Sequence, residues 1–252
     1  MDFSNPRQRA AFFEIHRDLP REGPGNRGST LKALSLARKL PDRPRVLDIG
    51  CGPGAQTLDL ANAMPQATIV AVDTHRPFLE DLRRRAAAVD FADRIWAVEA
   101  NMARLDFPPA SFDLIWCEGA VYFMGLSAAL LAWRRLLRPG GKIAITEPVW
   151  LKPDPPKPAL ANWAGYPTMR RVGMERPIFL EAGYRLMGAF TLPEAAWWDD
   201  YYRPMQKRLE DLADRFLDDP EAEIVLLEAQ DEIECYRRYS TYFGYCFYVA
   251  TI

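Results

Sequence analysis

The sequence predicts an α/β fold: a Rossmann-like, seven-stranded, mostly parallel sheet with helices on both faces and a helical cap inserted between the last two strands. Three observations predict it. Short apolar runs alternate with helical periodicity over residues 45–147, a pattern typical of parallel strands joined by crossover helices. Residues 46–54, VLDIGCGPG, pass from a buried strand into three glycines and then a helix. Residues 191–242, which show helical periodicity, are far more than a hairpin between strands needs.

We expect one domain over residues 1–252, because a chain of this length and 49% hydrophobic content can bury a single core. It divides into N-terminal helices (1–44), a Rossmann-like core (45–190), the helical cap (191–242) and a last strand (243–252). In the N-terminal part, Gly23-Pro24-Gly25 predicts a tight turn before a helix that begins near Ser29 or Thr30, either of which suits an N-cap.

The core begins with a strand around Val46–Ile49, and a helix over 55–63 follows the glycines. Further strands are predicted at 69–73, just before 99, at 111–118 and after the turn at 137–142. Each of the first four ends in a polar or glycine-rich loop, so these loops meet at the carboxyl edge of a parallel sheet.

Beyond residue 147 the pattern changes. Five prolines between positions 148 and 158 predict a loop that continues neither a helix nor a central strand. A helix near 176–182 then leads to a sixth strand at 184–190, and an aromatic, β-branched segment at 243–252 forms the last strand. Apolar spacing within 205–216 and 224–233 predicts two cap helices.

The glycine loop alone does not identify its ligand, because Gly50, Gly52 and Ala55 also satisfy the looser dinucleotide fingerprint. Asp48 separates the two interpretations. It lies inside the first strand, where an unpaired carboxylate is costly to bury and needs a nearby donor or cation. The α-amino group of S-adenosylmethionine would meet that need, whereas a pyrophosphate would be repelled.

With Asp48 followed by Gly50-Cys51-Gly52-Pro53-Gly54, the segment resembles the class I S-adenosylmethionine-dependent methyltransferases. The likeness continues through four more ordered features: an acid-ended strand at 69–73, residues 99–102, the strand at 111–118 and the turn at 137–142. A set of uncharacterised bacterial members is similar in further segments: RxGPG, EGA(V/I)Y, LPExxWW and a YGYxFY ending. Here these fall at 21–25, 118–122, 192–198 and 243–248, with Phe243 at the first position of the last.

The resemblance implies S-adenosylmethionine as cofactor and a set of residues that contact it. Asp73 would hold the ribose hydroxyls, Asn101 stands where the family usually has an acid that recognises adenine, and Arg21 is a candidate for the cofactor carboxylate. The full candidate cofactor set is Asp48, Gly50, Cys51, Gly52, Gly54, Asp73, Thr74, Asn101, Met102, Glu118 and Arg21.

The candidates for a catalytic base are Glu118, His16 and Tyr122. Glu118 ends the fourth strand, where catalytic groups of the family often lie, and it is the first choice; a hydrogen bond to nearby backbone is the alternative role. His16 has a side chain suited to proton transfer, although a lone helix histidine is often structural. Tyr122 could orient the acceptor or simply pack. The Asn/Asp-Pro-Pro-aromatic motif of some amino-group methyltransferases is replaced here by Cys117-Glu118-Gly119-Ala120.

The cap opens with the aromatic and acidic segment 196–202, AWWDDYY. Such rings could line a pocket for a hydrophobic or cationic acceptor, or they could anchor the cap to the sheet. Similarly, the cap helices could cover the cofactor end of the sheet or only close its edge.

Charge and cysteine content narrow the class of function. The net charge of −2 gives no basic field for nucleic acid, and the four cysteines show neither CxxC spacing nor a histidine cluster, which predicts no metal and a reduced, cytoplasmic protein. The N-terminus is too polar for a signal peptide, and the longest charge-free stretch is too short for a membrane span.

The predicted function is therefore methyl transfer to a small-molecule acceptor of unassigned identity, with no prediction of oligomeric state. Two alternatives stay open at this point: an NAD(P)-dependent oxidoreductase, and a module that binds S-adenosylmethionine without turnover.

Overall fold

A computed structural model describes residues 2–252 and contains one eight-stranded sheet. The strands follow the order β3-β2-β1-β4-β5-β8-β7, with β6 paired to the end of β5. They are β1 (Arg45–Ile49), β2 (Thr68–Asp73), β3 (Ile95–Glu99), β4 (Phe112–Cys117), β5 (Leu137–Trp150), β6 (Arg170–Arg171), β7 (Arg185–Thr191) and β8 (Phe243–Thr251).

Helices cover both faces of the sheet, and two short non-α turns interrupt the series, a 3-10 turn at Val121–Phe123 and a π turn at Trp198–Tyr202. The α-helices are α1 (Pro6–Ile15), α2 (Arg27–Leu36), α3 (Ala55–Ala63), α4 (Arg76–Ala88), α5 (Leu126–Arg134), α6 (Lys157–Asn162), α7 (Arg176–Glu181), α8 (Ala195–Trp197), α9 (Arg203–Phe216) and α10 (Pro220–Tyr239).

The sheet is parallel except at β8, which runs antiparallel to both β5 and β7. Residues on each strand alternate between two buried cores, so Val46 packs on one face while Leu47 packs on the other. Because β1 to β4 point the same way, their carboxyl ends share one edge. The loops after Ile49, Asp73, Glu99 and Cys117 therefore meet there.

The Rossmann-like, mostly parallel fold is confirmed, but the count of seven strands is wrong. The additional strand, β6, has only two residues, which pair with Val149 and Trp150 of β5. Both of its side chains are exposed arginines, so the segment carries no alternation of apolar and polar residues by which a strand could be recognised.

The predicted loop after residue 147 begins later than expected, because β5 continues through Pro148 to Trp150. Pro148 pairs with Tyr245 of β8. The ladder between β5 and β4 has already ended at Ile145, so at Pro148 the strand has lost its neighbour on that side. Proline is tolerated in a strand where one side needs no backbone donor.

The second helix also begins earlier than predicted. Its N-cap is Asn26, whose side chain accepts a hydrogen bond of 2.8 Å from the backbone N–H of Ser29. Thr30, an expected cap, lies inside the helix and turns its hydroxyl to the carbonyl of Asn26 and to Glu118.

Both predicted cap helices are present, longer than expected, and they pack on the N-terminal helix. Gln8 of α1 donates to Glu221 of α10 over 2.7 Å, and Arg208 of α9 donates to the carbonyl of Glu14 over 3.1 Å. The insertion and the first helix are thus one packed unit beside the sheet.

We expect Gly54→Ala to lower the free energy of unfolding by about 3 kcal/mol, measured by urea denaturation. Gly54 has φ +88°, and an added Cβ would lie 2.3 Å from Cδ1 of the buried Leu82. The substitution therefore adds a steric clash to the backbone strain.

Gly173→Ala is the matched control, because Gly173 has φ +90° with no atom within 4 Å of the added Cβ. It isolates the strain, which costs about 1 kcal/mol. Equal losses for the two variants would contradict the tight packing of the glycine loop on α4.

Candidate functional site

The glycine loop between β1 and α3 is fixed to the end of β2. Backbone N–H groups of Gly50 and Cys51 donate to the carbonyl of Val72 over 2.8 and 3.0 Å. Asp73 accepts from the N–H of Gly52 over 2.9 Å through Oδ2, and from the N–H of His75 over 2.8 Å through Oδ1. The carboxylate of Asp73 thus lies against the loop, at the carboxyl edge of the sheet.

The loop is closely covered from above. An added Cβ on Gly50 would lie 2.5 Å from the Cβ of Ala120, and one on Gly52 would lie 3.1 Å from Cγ of Glu22. Both glycines have positive φ. Any side chain at these positions would fill the space between the loop and the two segments that cover it.

Asp48 is fully buried in β1 and finds its donors within the chain. Thr57 Oγ1 donates to its Oδ2 over 2.5 Å, and Gln56 Nε2 lies 3.5 Å from its Oδ1. Burial raises the pKa of the Asp48 carboxyl to about 7. We had expected a ligand amine to satisfy this acid; in the structure, α3 supplies two partners.

Glu118 is held by three donors from three parts of the chain. Trp116 Nε1 and Thr30 Oγ1 donate to its Oε1, each over 2.8 Å, and Arg21 Nη1 donates to its Oε2 over 2.8 Å. The side chains of Arg21 and Glu118 are 4% and 3% exposed. The ion pair ties the N-terminal segment to the end of β4 and leaves neither group free, which favours a positioning role for both.

His16 lies just after α1 and is 5% exposed. Its Nδ1 is 2.6 Å from Oε2 of Glu22, and its ring stacks on Phe12 with 4.0 Å between ring centroids. A carboxylate at one ring nitrogen fixes the orientation of an imidazole and leaves the other ring nitrogen to exchange a proton. The pair His16–Glu22 is therefore the arrangement in this region best suited to accept a proton.

Glu22 was missed from the sequence, although it is the second residue of the RxGPG segment. Its Oε1 is buried without a hydrogen-bond partner within residues 2–252. Burial raises the pKa of the Glu22 carboxyl, and the bond to His16 opposes that rise. Since Glu22 also packs against Gly52, it links His16 to the glycine loop.

Tyr122 lies on the 3-10 turn after β4, and its ring contacts those of Phe123 and Tyr166. Nearby, Tyr201 and Tyr202 both donate to Oε1 of Glu232 in α10, over 3.2 and 3.0 Å. Tyr245 of β8 contacts the ring of Trp197, which in turn contacts Tyr202. We call Tyr122, Tyr201, Tyr202, Tyr245 and Glu232 the tyrosine cluster. Glu232 had no sequence signal, because it lies in an otherwise ordinary charged helix.

The aromatic segment at the start of the cap is mostly buried. Trp197 is 3% exposed and stacks on Tyr236 with 4.2 Å between ring centroids, and it also contacts Tyr245 edge to face at 5.1 Å. These contacts anchor the cap to β8. Tyr201 and Tyr202, four and five residues later, turn their hydroxyls to Glu232 instead.

The remaining candidates lie at the rim of the same edge. Asn101 is exposed and its Oδ1 accepts from the N–H of Ala103 over 2.8 Å, while the carbonyl of Met102 accepts from Trp133 over 2.9 Å. Met102 Cε would lie 3.6 Å from a Cβ on Gly50, which places this methionine beside the loop. Thr74 is exposed at the bend after Asp73.

Within residues 2–252, no group of three or more histidine, cysteine or acidic side chains is arranged to hold a metal ion. The cysteines in this range are free thiols, three of them buried. No helix in the described part of the chain is both long and apolar enough to cross a bilayer.

A family model described as "Methyltransferase domain" matches residues 46–141, which span the glycine loop and the carboxyl edge. Trans-aconitate 2-methyltransferase of Azoarcus sp. is 33% identical over 72% of this chain and 65% of its own length. Nocamycin O-methyltransferase of Saccharothrix syringae is 37% identical over 51% of this chain and 46% of its own length. The chain thus spans about half to two thirds of the length of these curated relatives.

Solved structures share the fold over nearly the whole chain. A SAM-dependent methyltransferase from Geobacter sulfurreducens, in complex with S-adenosyl-L-homocysteine, has a TM-score of 0.80 at 22% identity, with 97% of each chain covered. A SAM-dependent methyltransferase from Thiobacillus denitrificans gives the same TM-score of 0.80 at 22% identity, with 99% of each covered.

The buried Asp48 leads to a pH-dependent stability. Its pKa is about 7 in the folded chain, above the ordinary aspartate value of 3.8, so between these values the folded state holds a proton that the unfolded state has lost. Stability therefore falls as pH rises towards 7. Asp48→Asn should remove this loss. We therefore expect the free energy of unfolding of the variant, minus that of the wild type, to rise by roughly 2 kcal/mol from pH 5 to pH 8.

Urea denaturation at several pH values measures this difference. Asp42→Asn is the control, because Asp42 is an exposed residue of the same type just before β1. If the difference for Asp48→Asn stays constant with pH, the pKa of Asp48 is the same in the folded and unfolded chain, and the prediction is wrong.

Proposed function

We propose that this chain, a class I S-adenosylmethionine-dependent methyltransferase, transfers a methyl group to a small-molecule acceptor. The observation that carries the proposal is the glycine loop, which is held by Asp73 and leaves no room for side chains at Gly50 and Gly52. The relatives include methyltransferases named for trans-aconitate, for malonyl-[acyl-carrier protein] and for a demethylrifamycin.

The residues at the carboxyl edge fit the cofactor. Asp73 would bind the ribose hydroxyls, Asn101 and Met102 would lie at the adenine, and the loop from Gly50 to Gly54 would lie against the amino-acid part. Thr74 and Cys51 adjoin these groups. When bound, S-adenosylmethionine supplies a methyl group on a sulfonium, which is already activated for displacement. The protein then has to align the acceptor, exclude water and remove any proton that the acceptor must lose.

We infer that His16, oriented by Glu22, is the group that takes such a proton. Glu118, our first choice from the sequence, already accepts three hydrogen bonds, one of them from Arg21. Its role in this proposal is to hold Arg21 and α2 against the end of β4. Arg21 is likewise paired, so it would reach a cofactor carboxylate only by sharing its guanidinium with Glu118.

Three further points complete the proposal. We infer a single domain over residues 1–252, with the insertion as a cap on the cofactor edge. The balance of acidic and basic residues supports a small-molecule acceptor over nucleic acid. A cytoplasmic location accords with four unpaired thiols.

Neither alternative function is favoured by a specific contact. In the dinucleotide interpretation, a pyrophosphate would lie against a loop that Asp48 and Asp73 flank with acidic groups and that Glu22 covers. A binding module without turnover would have no need for the oriented pair His16–Glu22.

Calorimetry with S-adenosylhomocysteine tests the cofactor site. We expect binding to the wild-type chain. Asp73→Asn should lose affinity by about tenfold or more, because an amide nitrogen, which donates hydrogen bonds, replaces one of the two carboxylate oxygens, which accept them. Asp93→Asn is the control, since Asp93 is exposed at the opposite end of β3. Absence of binding by the wild-type chain at high micromolar ligand would overturn the proposal.

The proton-accepting role is tested by turnover with labelled S-adenosylmethionine and an acceptor found by screening. We expect His16→Gln to lower kcat by about 100-fold or more, with unchanged affinity for S-adenosylhomocysteine. Glu22→Gln should give a smaller loss of kcat, because it removes the orienting charge and leaves the imidazole. Unchanged kcat for His16→Gln would exclude His16 as the proton acceptor.

A further inference from the structure

Glu232 is an acid in the interior of the cap with an unusual set of partners. Both of its hydrogen bonds within residues 2–252 come from tyrosine hydroxyls, those of Tyr201 and Tyr202, and both end on the same oxygen, Oε1. Oε2 accepts no hydrogen bond within the described chain. It is not among the side-chain atoms that are fully buried without a hydrogen-bond partner, so it can be reached from outside. One oxygen of Glu232 is thus fixed, and the other is available to a ligand.

No lysine or arginine within residues 2–252 forms an ion pair with Glu232. The basic group that acts on it is His16, which is bound to Glu22. Burial by the surrounding groups raises the pKa of the Glu232 carboxyl. An acid held among aromatic rings without a permanent counter-charge is a costly arrangement unless a cation joins it.

Two more hydroxyls point to a ligand beside Glu232. Tyr245 is 4% exposed, and within the described residues its hydroxyl forms no hydrogen bond. Its ring lies 5.1 Å from the ring of Trp197, and the ring of Trp197 lies 5.9 Å from that of Tyr202, so Tyr245 belongs to the same group of rings. The Tyr122 hydroxyl also has no hydrogen-bond partner in the described chain. Two tyrosine hydroxyls and one carboxylate oxygen in this part of the molecule therefore have unused hydrogen-bonding capacity.

We propose that the tyrosine cluster is a subsite for the ammonium group of a cationic amine, with Glu232 as its counter-charge. The tyrosine rings supply faces that attract ammonium, and Tyr201 and Tyr202 lie close together, with 4.8 Å between their ring centroids. This inference rests on the proposed function and assigns the class of its acceptor.

The subsite lies next to the place of methyl transfer. The segment that leads into Tyr201 is joined to the turn that holds Glu22, because the carbonyl of Ala196 accepts a hydrogen bond of 2.8 Å from the N–H of Gly25. Glu22 itself packs on Gly52 of the glycine loop and binds His16. A cation at Glu232 therefore lies on the cap side of the same group of residues that closes over the cofactor.

The charges argue against an acceptor that carries carboxylates. Such an acceptor would need arginine or lysine side chains around it, but Arg21 is paired with Glu118, and Glu22 and Glu232 would repel it. The relatives named for trans-aconitate act on a carboxylic acid. The subsite therefore gives this chain a different preference from those relatives.

Choline and its neutral isostere 3,3-dimethylbutan-1-ol test the subsite by calorimetry on the full chain, with and without S-adenosylhomocysteine. Choline cannot be methylated at nitrogen, so it reports binding alone. We expect choline to bind at least tenfold more tightly than the isostere, and Glu232→Gln to abolish that difference. Asp231→Asn, at an exposed neighbouring position of α10, should leave it unchanged.

Tyr201→Phe keeps the ring and removes one bond to Glu232, so it separates the effect of charge from loss of folding. It should bind choline with a smaller loss than Glu232→Gln, and thermal melting of each variant checks its fold. Equal binding of choline and the isostere, or an unchanged preference in a folded Glu232→Gln, would overturn the inference. If S-adenosylhomocysteine still binds in that case, only the subsite is overturned and the proposed function stands. If S-adenosylhomocysteine does not bind to the wild-type chain, the proposed function itself is overturned.

Discussion

The buried ion pair between Arg21 and Glu118 is the interaction on which the site depends. It joins the N-terminal segment to the end of β4, and Thr30 and Trp116 satisfy the other oxygen of Glu118. Removal of one partner would leave a buried charge, at a cost of about 3–5 kcal/mol. Because Arg21 is fixed, the next residue, Glu22, is directed onto Gly52 and His16.

The acids near the carboxyl edge have different roles because their surroundings differ. Asp48 is sealed with Thr57 and Gln56, and it maintains the start of α3. Asp73 has a part-buried carboxylate that caps the glycine loop and faces the cofactor edge. Glu118 is neutralised by an arginine, whereas Glu232 receives only tyrosine hydroxyls within the described chain.

The succession of strands and helices along the core and the glycine loop were predictable, because both depend on local patterns: alternating apolar runs and glycines at fixed spacing. Asp73 at the end of β2 was predictable for the same reason. Glu22 and Glu232 were not, because their roles arise when residues far apart in sequence, such as Glu232 and Tyr201, meet in the folded chain. The two-residue β6 was not predicted, because its pairing with the end of β5 is a tertiary contact. The start of α2 at Arg27 was also missed, although its N-cap, Asn26, binds the N–H of Ser29 only three residues away.

One backbone bond connects the two sides of the site. The N–H of Gly25, at the end of the RxGPG turn, donates to the carbonyl of Ala196 at the start of the cap over 2.8 Å. The segment that covers the glycine loop is thereby joined to the segment that leads into Tyr201 and Tyr202. Neither can move outward without pulling on the other or breaking this bond. The two coverings of the site are therefore coupled at their bases: a ligand that displaces one of them must carry the other along or break this bond.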